Sequence, residues 1–276
     1  MTGRDHLFLP DRQVKPGCSN DIDHAIGNYI VKHRPAVIVN IGDHADMESL
    51  SSYDVGKASA EGKRYEKDIE ASINAHEIMF APLHRLQKEQ MEQLFPAASR
   101  LAHLLPAAEI PPALYSPETH ICYGNHENRI MRAVDDDARL AGWMSLEDLQ
   151  YPRFYKHVHP FLEKFIVDGV TYVHYSFKKI PQKAIGGDMI ARTILNHEMT
   201  SISVGHCPEF AFFEKWRGDG KKIQCLVSGA CFDHHESYAG PRNLQYWRGI
   251  VHKKNVCDGT YDFERISIET LLREYL

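Results

Sequence analysis

Five stretches, far apart in the chain, each end an apolar run with side chains able to bind metal or move protons. "FLPDRQ" presents Asp11 and Gln13, and "VIVNIGDHADM" presents Gly42, Asp43, His44 and Asp46. "ICYGNHENR" presents Asn125, His126, Glu127 and Arg129, "VTYVHYS" presents His174, and "SISVGHCPE" presents Gly205 and His206. Carboxylate oxygens and imidazole nitrogens are ligands for divalent cations, and imidazole also titrates near neutral pH. Taken singly, these residues have plainer explanations. Gly-Asn is a common turn pair, Asp43 and Asn125 are turn-forming types, and a lone His174 would be a hydrogen-bonded residue at a strand end. Histidine is nevertheless in surplus. The chain has 17, about three times ordinary usage, and no terminal run marks them as a tag.

These residues need elements to position them. Short runs rich in Val and Ile read as buried strands: His6 to Pro10, Ala36 to Gly42, Thr119 to Gly124, Lys164 to Tyr175 and Thr200 to His206. Asp-Gly inside "IVDGVTYV" signals a hairpin, and "AFFEKWRGDGKKIQCLVSG" reads as a second one turning at Gly218 to Gly220. "WRGIVHKKNVCDGTYDFERISI" adds strands near the end. Asn20 to Arg34 has helical spacing at Ile22, Ile26 and Ile30, with Asn20 as the candidate N-cap. A longer helical stretch runs from Glu66 to about Leu105, where Pro82 and Pro96 are expected to kink or divide it. Its charged side reads as a solvated face, with a lid or dimer surface as alternatives. Ligands of an open α/β sheet gather outside the carboxyl ends of its strands, so the five segments could share one rim.

The 276 residues are 43% hydrophobic and 25% charged, which describes a globular protein able to bury a substantial core. No linker-like stretch divides them, so a single domain over 1–276 is expected. No run is apolar enough to span a bilayer and no secretory signal is recognisable. The six cysteines form no Cys-x-x-Cys pair, which excludes zinc-finger spacing and fits a reducing cytoplasm without disulfide staples. A net charge of −5 argues against broad attraction to duplex DNA.

The ordered set resembles the calcineurin-like metallophosphoesterases, whose pattern is DxH … GDxxD … GNH(D/E) … H … GHxH. The resemblance covers Asp11 to His206. "GDHADMESLSSYDVGK", "GNHENRI" and "YWRGIV" look like a branch of that family carried by tailed bacteriophages, which would place the protein in the host cytoplasm. The resemblance implies an α/β fold, a four-layer α/β/β/α sandwich of two mixed sheets flanked by helices. A helical insertion at about 49–110 would separate the second and third motifs. It also implies two metal ions clamping the oxygens of an in-line displacement at phosphorus. Asp43 matches the bridging carboxylate. Asn125, His174 and His206 would complete one ion's shell, while Asp11 and Gln13 would face the other. A water between the ions would lose its proton near neutral pH and attack. His126 matches the residue that contacts phosphate and protonates the leaving oxygen. Glu127 is expected to accept from a ring N–H of His126 and set its tautomer, and Arg129 to reach phosphate oxygens. His44 and Asp46 are expected to shape the loop or support its ligands, and Cys207 to be a packed thiol.

Two departures fall on one metal. Gln13 stands where the family has His, and Pro208 replaces the second His of GHxH. The oxygen-rich remainder favours Mn²⁺, with Mg²⁺, Zn²⁺, Fe and Ni²⁺ as alternatives. One well-filled site and one weaker site are therefore expected, the weaker completed by water or by Asp233, His234 or His235. The implied activity is hydrolysis of a phosphodiester in a nucleotide or single-stranded nucleic acid, with no membrane partner. The alternatives are a phosphomonoesterase, a DNA nuclease with the same site, or a degenerate member that binds phosphate or a partner without turnover.

Overall fold

The computed structural model describes residues 2–53, 56–94, 114–178, 183–235 and 237–276. The first strand, β1 (Arg4–Leu9), is followed by helix α1 (Asp21–His33), β2 (Val37–Asn40) and the long α2 (Tyr65–Leu94). Next come β3 (Glu118–Cys122), α3 (Asn128–Asp136), β4 (His157–His159), β5 (Phe165–Val167), β6 (Val170–Val173) and α4 (Ile190–Glu198). The chain closes with β7 (Ile202–Val204), β8 (Phe210–Trp216), β9 (Lys222–Ser228), β10 (Gly249–Cys257), β11 (Thr260–Ser267) and α5 (Ile268–Tyr275).

Two mixed sheets result. One is six-stranded in the order β11-β10-β1-β2-β3-β4, and the other five-stranded in the order β5-β6-β7-β9-β8. In the first, β1 to β4 are parallel neighbours; in the second, β6, β7 and β9 are. Parallel strands end together, so their following loops gather at one edge.

Alternation along each strand sorts the core into three layers. Phe8, Val37, Val39 and Cys122 meet Phe165, Val170, Tyr172 and Leu226 between the sheets. Leu7, Leu9, Ile38 and Ile121 point the other way, onto Ile22, Ile26 and Ile30 of α1 and Met79, Phe80 and Leu83 of α2. On the far side, Val173, Ile202, Val204 and Val227 pack under Ile190, Ile194 and Leu195 of α4. Helices therefore flank both outer faces. Among the described residues, no helix is long and apolar enough to cross a membrane.

Three details differ from expectation. Asn20 occupies the N-cap of α1 but its side chain makes no capping bond; Ser19 Oγ instead accepts from the Asp21 N–H at 3.0 Å. Pro82 does not divide α2, which runs from Tyr65 to Leu94, while Pro96 and the rest of the stretch to Leu105 lie outside the described residues. The helix is not simply a solvated face either. Ala75, Met79, Phe80 and Leu83 are buried, together with Asp68, Ser72 and His76.

Candidate metal centre

The loops after β1, β2, β3, β6 and β7 bring their polar residues to one edge. Asp11, Gln13, Asp43, His126 and His206 line a cavity of about 80 Å³, walled further by Pro208, Phe232 and Tyr246. His174 and Asn125 stand beside them: His174 Nε2 is 3.3 Å from Asp43 Oδ2 and 3.0 Å from Asn125 Oδ1. All six sequence-predicted ligands are thus brought together. Ligand atoms of Asp43, His174 and His206 lie within 4.8 Å of one another.

The motif glycines explain how the loops approach so closely. A Cβ on Gly124 would lie 2.1 Å from Asp43 Oδ1, and one on Gly205 would lie 2.5 Å from Asp11 Oδ1. Each glycine clears room for a carboxylate from another loop. Gln13, Asp43 and His206 all have positive φ, at 46°, 50° and 63°. Non-glycine residues in that region are strained, and such strain gathers where surrounding structure over-determines a site.

Hydrogen bonding shows what the cluster could hold. His174 Nδ1–H donates to the Ile41 carbonyl at 2.8 Å, so the neutral ring's Nε2 carries a lone pair. That lone pair faces the oxygens of Asp43 and Asn125, both acceptors. Three acceptors converging on one point repel unless a proton or a cation lies among them. Gln13 Oε1 is buried without a hydrogen-bond partner, a state that costs free energy unless something electropositive compensates. The donor set and the orphaned oxygen together fit a divalent cation.

The same geometry shifts the titrations. Burial lowers the pKa of His174, but Asp43 and Asp11 outweigh it and raise it to about 9. Burial, then Asp43, pushes Asp11 up to about 7. Burial also raises Asp43, yet the charges of His174 and His126 hold it far below the usual carboxylate range. His206 is lowered to about 4 by burial and by His174.

His126 is held by Asp46. Its Nδ1 lies 2.8 Å from Asp46 Oδ1 and its backbone N–H donates to Asp43 Oδ1 at 2.8 Å. That leaves Nε2 toward the cleft, 3.8 Å from Asp43 Oδ2. Burial lowers the pKa of His126, but Asp43 and the Asp46 bond more than offset it and the net shift is upward. Arg129 Nη1 donates to the Asp46 carbonyl at 2.8 Å, and Nη2 sits 3.3 Å from His126 Nε2. Asp46 therefore supports a predicted site residue, as its loop position suggested.

Glu127 behaves otherwise than expected. It makes no bond to the His126 ring. Oε1 accepts from the backbone N–H of His44 at 2.7 Å and of Ala45 at 3.1 Å, and from the Tyr151 hydroxyl at 2.8 Å. Oε2 accepts from Asp43 N–H at 3.0 Å and Gly124 N–H at 2.8 Å. With no exposed surface, it is a brace between two loops rather than a group that meets substrate. Burial and Asp43 raise its pKa, while five donors favour its charged form. Tyr151 had no motif to announce it; only the fold places its hydroxyl there.

The segment holding Asp233, His234 and His235 does not complete the oxygen-rich side. None of the three lines the cavity. His234 Nδ1 lies 3.7 Å from Cys18 Sγ, and its ring stacks on Phe232. Phe232 and Tyr246 take the wall instead, apolar types that ligand chemistry had no reason to single out. His44 is buried against His76, ring centroids 3.6 Å apart, and shapes its loop. Cys207 packs beside the α4 core.

No protein-family model matches this chain, and no curated protein does. One solved crystal structure that matches is 12% identical, covers 96% of this chain and 100% of its own, and superposes with a TM-score of 0.38. A likeness that distant carries no argument about this chain.

Proposed function

We propose that this protein is a metal-dependent phosphoesterase of the calcineurin-like kind, hydrolysing a phosphodiester in a nucleotide or single-stranded nucleic acid. The observation that carries the reading is the convergence of Asp11, Gln13, Asp43 and His206 on one cavity, with His174 and Asn125 against Asp43, beside a His126 whose Nε2 faces the same cleft. Two mixed sheets with helices on both faces suit the four-layer sandwich of that family. A divalent cation, Mn²⁺ by the oxygen-rich donor set of Asp11, Gln13 and Asp43, would supply charge for phosphoryl oxygens and acidify water. Asp43, Asn125, His174 and His206 would hold the better-filled position.

The chain's own residues do the rest. Asp46 accepts from His126 Nδ1–H and, with Asp43, shifts the ring's pKa upward, which favours the protonated Nε2 that would give its proton to the leaving oxygen. Arg129 Nη2 and a protonated His126 Nε2 are two donors 3.3 Å apart. A phosphate oxygen between them would relieve that repulsion, so both would orient one phosphoryl group. Pro208, lining the cavity without a ligand atom, favours the second reading: a member that binds phosphate without turnover.

A manganese-supplemented panel separates these outcomes: bis-p-nitrophenyl phosphate, p-nitrophenyl phosphate, cyclic nucleotides and single-stranded oligonucleotides. The diester should be preferred. His126→Ala should lower kcat by about 10²–10⁴-fold, the usual worth of a general acid, with manganese content unchanged. Wild-type turnover in that variant would remove His126 from the chemistry, and no turnover of any substrate by the parent would favour the binding-only reading.

A further inference from the structure

A second group of metal-binding side chains lies away from the cleft, at the N-terminal ends of β3 and β4. Glu118 and His120 alternate on β3, and His157 and His159 on β4, the sheet's edge strand. The parallel register sets His120 directly against His157. One ligand atom each from Glu118, His120 and His157 lies within 4.8 Å of the other two.

We propose that Glu118, His120 and His157 form a separate transition-metal site, of a chemistry suited to zinc, that clips the edge strand β4 to β3. His120 Nε2 is 3.0 Å from Glu118 Oε1, so a cation can take the place of the proton these two atoms now share. His120 Nδ1 is 3.1 Å from His159 Nε2. When the cation takes Nε2, the ring's one hydrogen moves to Nδ1 and is donated to His159 Nε2, the outer hydrogen bond that metal-bound imidazoles ordinarily have.

The third ligand has to move. Bonds of about 2.0–2.2 Å place ligand atoms roughly 3.3–3.6 Å apart in a tetrahedron. His157 is exposed and stacked on His120 with ring centroids 4.6 Å apart, so it can swing inward without disturbing the core. Water would take the fourth position. Glu118 is oriented by its Oε2, which accepts from Arg4 Nη1 at 2.6 Å. The strand so clipped has three residues and pairs on one side only, which gives the site a structural use. The site would stand whatever the chemistry of the cleft.

The test uses the full chain, stripped with chelator, loaded with zinc and desalted before elemental analysis. His157→Ala should retain one zinc fewer than the parent and lose part of the zinc-dependent rise in Tm. Manganese-dependent turnover should be unchanged. Cobalt loading supplies an independent readout, since a tetrahedral visible band should weaken in His157→Ala and persist in His174→Ala. Equal zinc content in the parent and a folded His157→Ala, checked by circular dichroism, would overturn the proposal.

Discussion

Glu127 accepts from four backbone N–H groups and one hydroxyl, so its oxygens set the positions of two loops at once. Glutamine in its place would turn an NH₂ group against some of those donors. An unsatisfied buried polar group costs about 1–3 kcal/mol, and Glu127→Gln should lower the urea midpoint accordingly. Manganese affinity should fall as well, by about 10–100-fold, as for other residues that orient ligands. Unchanged values of both, by denaturation and calorimetry, would show that the brace is dispensable. Asp46 gives a prediction of another kind. His126 must be protonated to act as a donor, so activity is lost as pH rises through its pKa. Asp46 raises that pKa, and Asp46→Asn should move the basic limb of the pH–rate profile to lower pH. A limb that stays in place would mean that a different group sets it.

Helix α2 shows how an element can be read correctly and used differently. Its helical pattern is visible in the sequence, but its charge suggests a solvated face, with a lid or a dimer surface as alternatives. In the fold Phe80 is 2% exposed and belongs to the same core as α1 and the first sheet. Phe80→Ala should therefore cost about 3–5 kcal/mol, whereas a loose lid would leave the unfolding midpoint where it was. The strands with strong local signals were legible. Asp-Gly at Asp168 and Gly169 has φ of 49° and 82°, as a tight hairpin turn requires. Strand β4, three residues long, and the helices α3, α4 and α5 were not picked out, because short elements have little periodicity to show. Lys253 was unreadable for another reason. Its Nζ sits between the sheets, over the rings of Phe8, Tyr172 and Tyr261 at 4.4–4.7 Å, and donates to Ser203 Oγ at 2.6 Å. Nothing near it in sequence announces that setting.

Across the molecule, part of the histidine surplus is buried in the interior, away from the cleft: His6, His76 and His252 have no exposed surface. Burial lowers His6, His159 and His252 to about 4 and His76 to about 3, all from an ordinary 6.5. A histidine buried neutral binds its proton more readily when unfolded. Between pH 6.5 and these lowered values the unfolded chain takes up more protons, so stability is full above 6.5 and falls on acidification toward 4. His174 has the opposite sign: raised to about 9, its contribution is present below 6.5 and lost as pH climbs through 9. Chelator-treated protein should consequently show its highest Tm near neutrality. The acid arm should persist in His174→Ala while the alkaline arm flattens. A Tm that holds steady from pH 6.5 to 4 would contradict the buried neutral histidines.

Local chemistry along the chain was enough to name Asp11, Gln13, Asp43, Asn125, His126, His174 and His206 as candidates. Each follows an apolar strand, and both the side-chain type and the strand signal are carried by neighbouring residues. Roles that depend on partners from elsewhere were not recoverable that way. Glu127 finds Tyr151 and the Asp43 loop, His126 finds Asp46, and Phe232 and Tyr246 line the cavity wall where Asp233, His234 and His235 do not. Hydrogen bonds and burial are set by distances between segments far apart in the chain, and those distances exist only once the two sheets have packed.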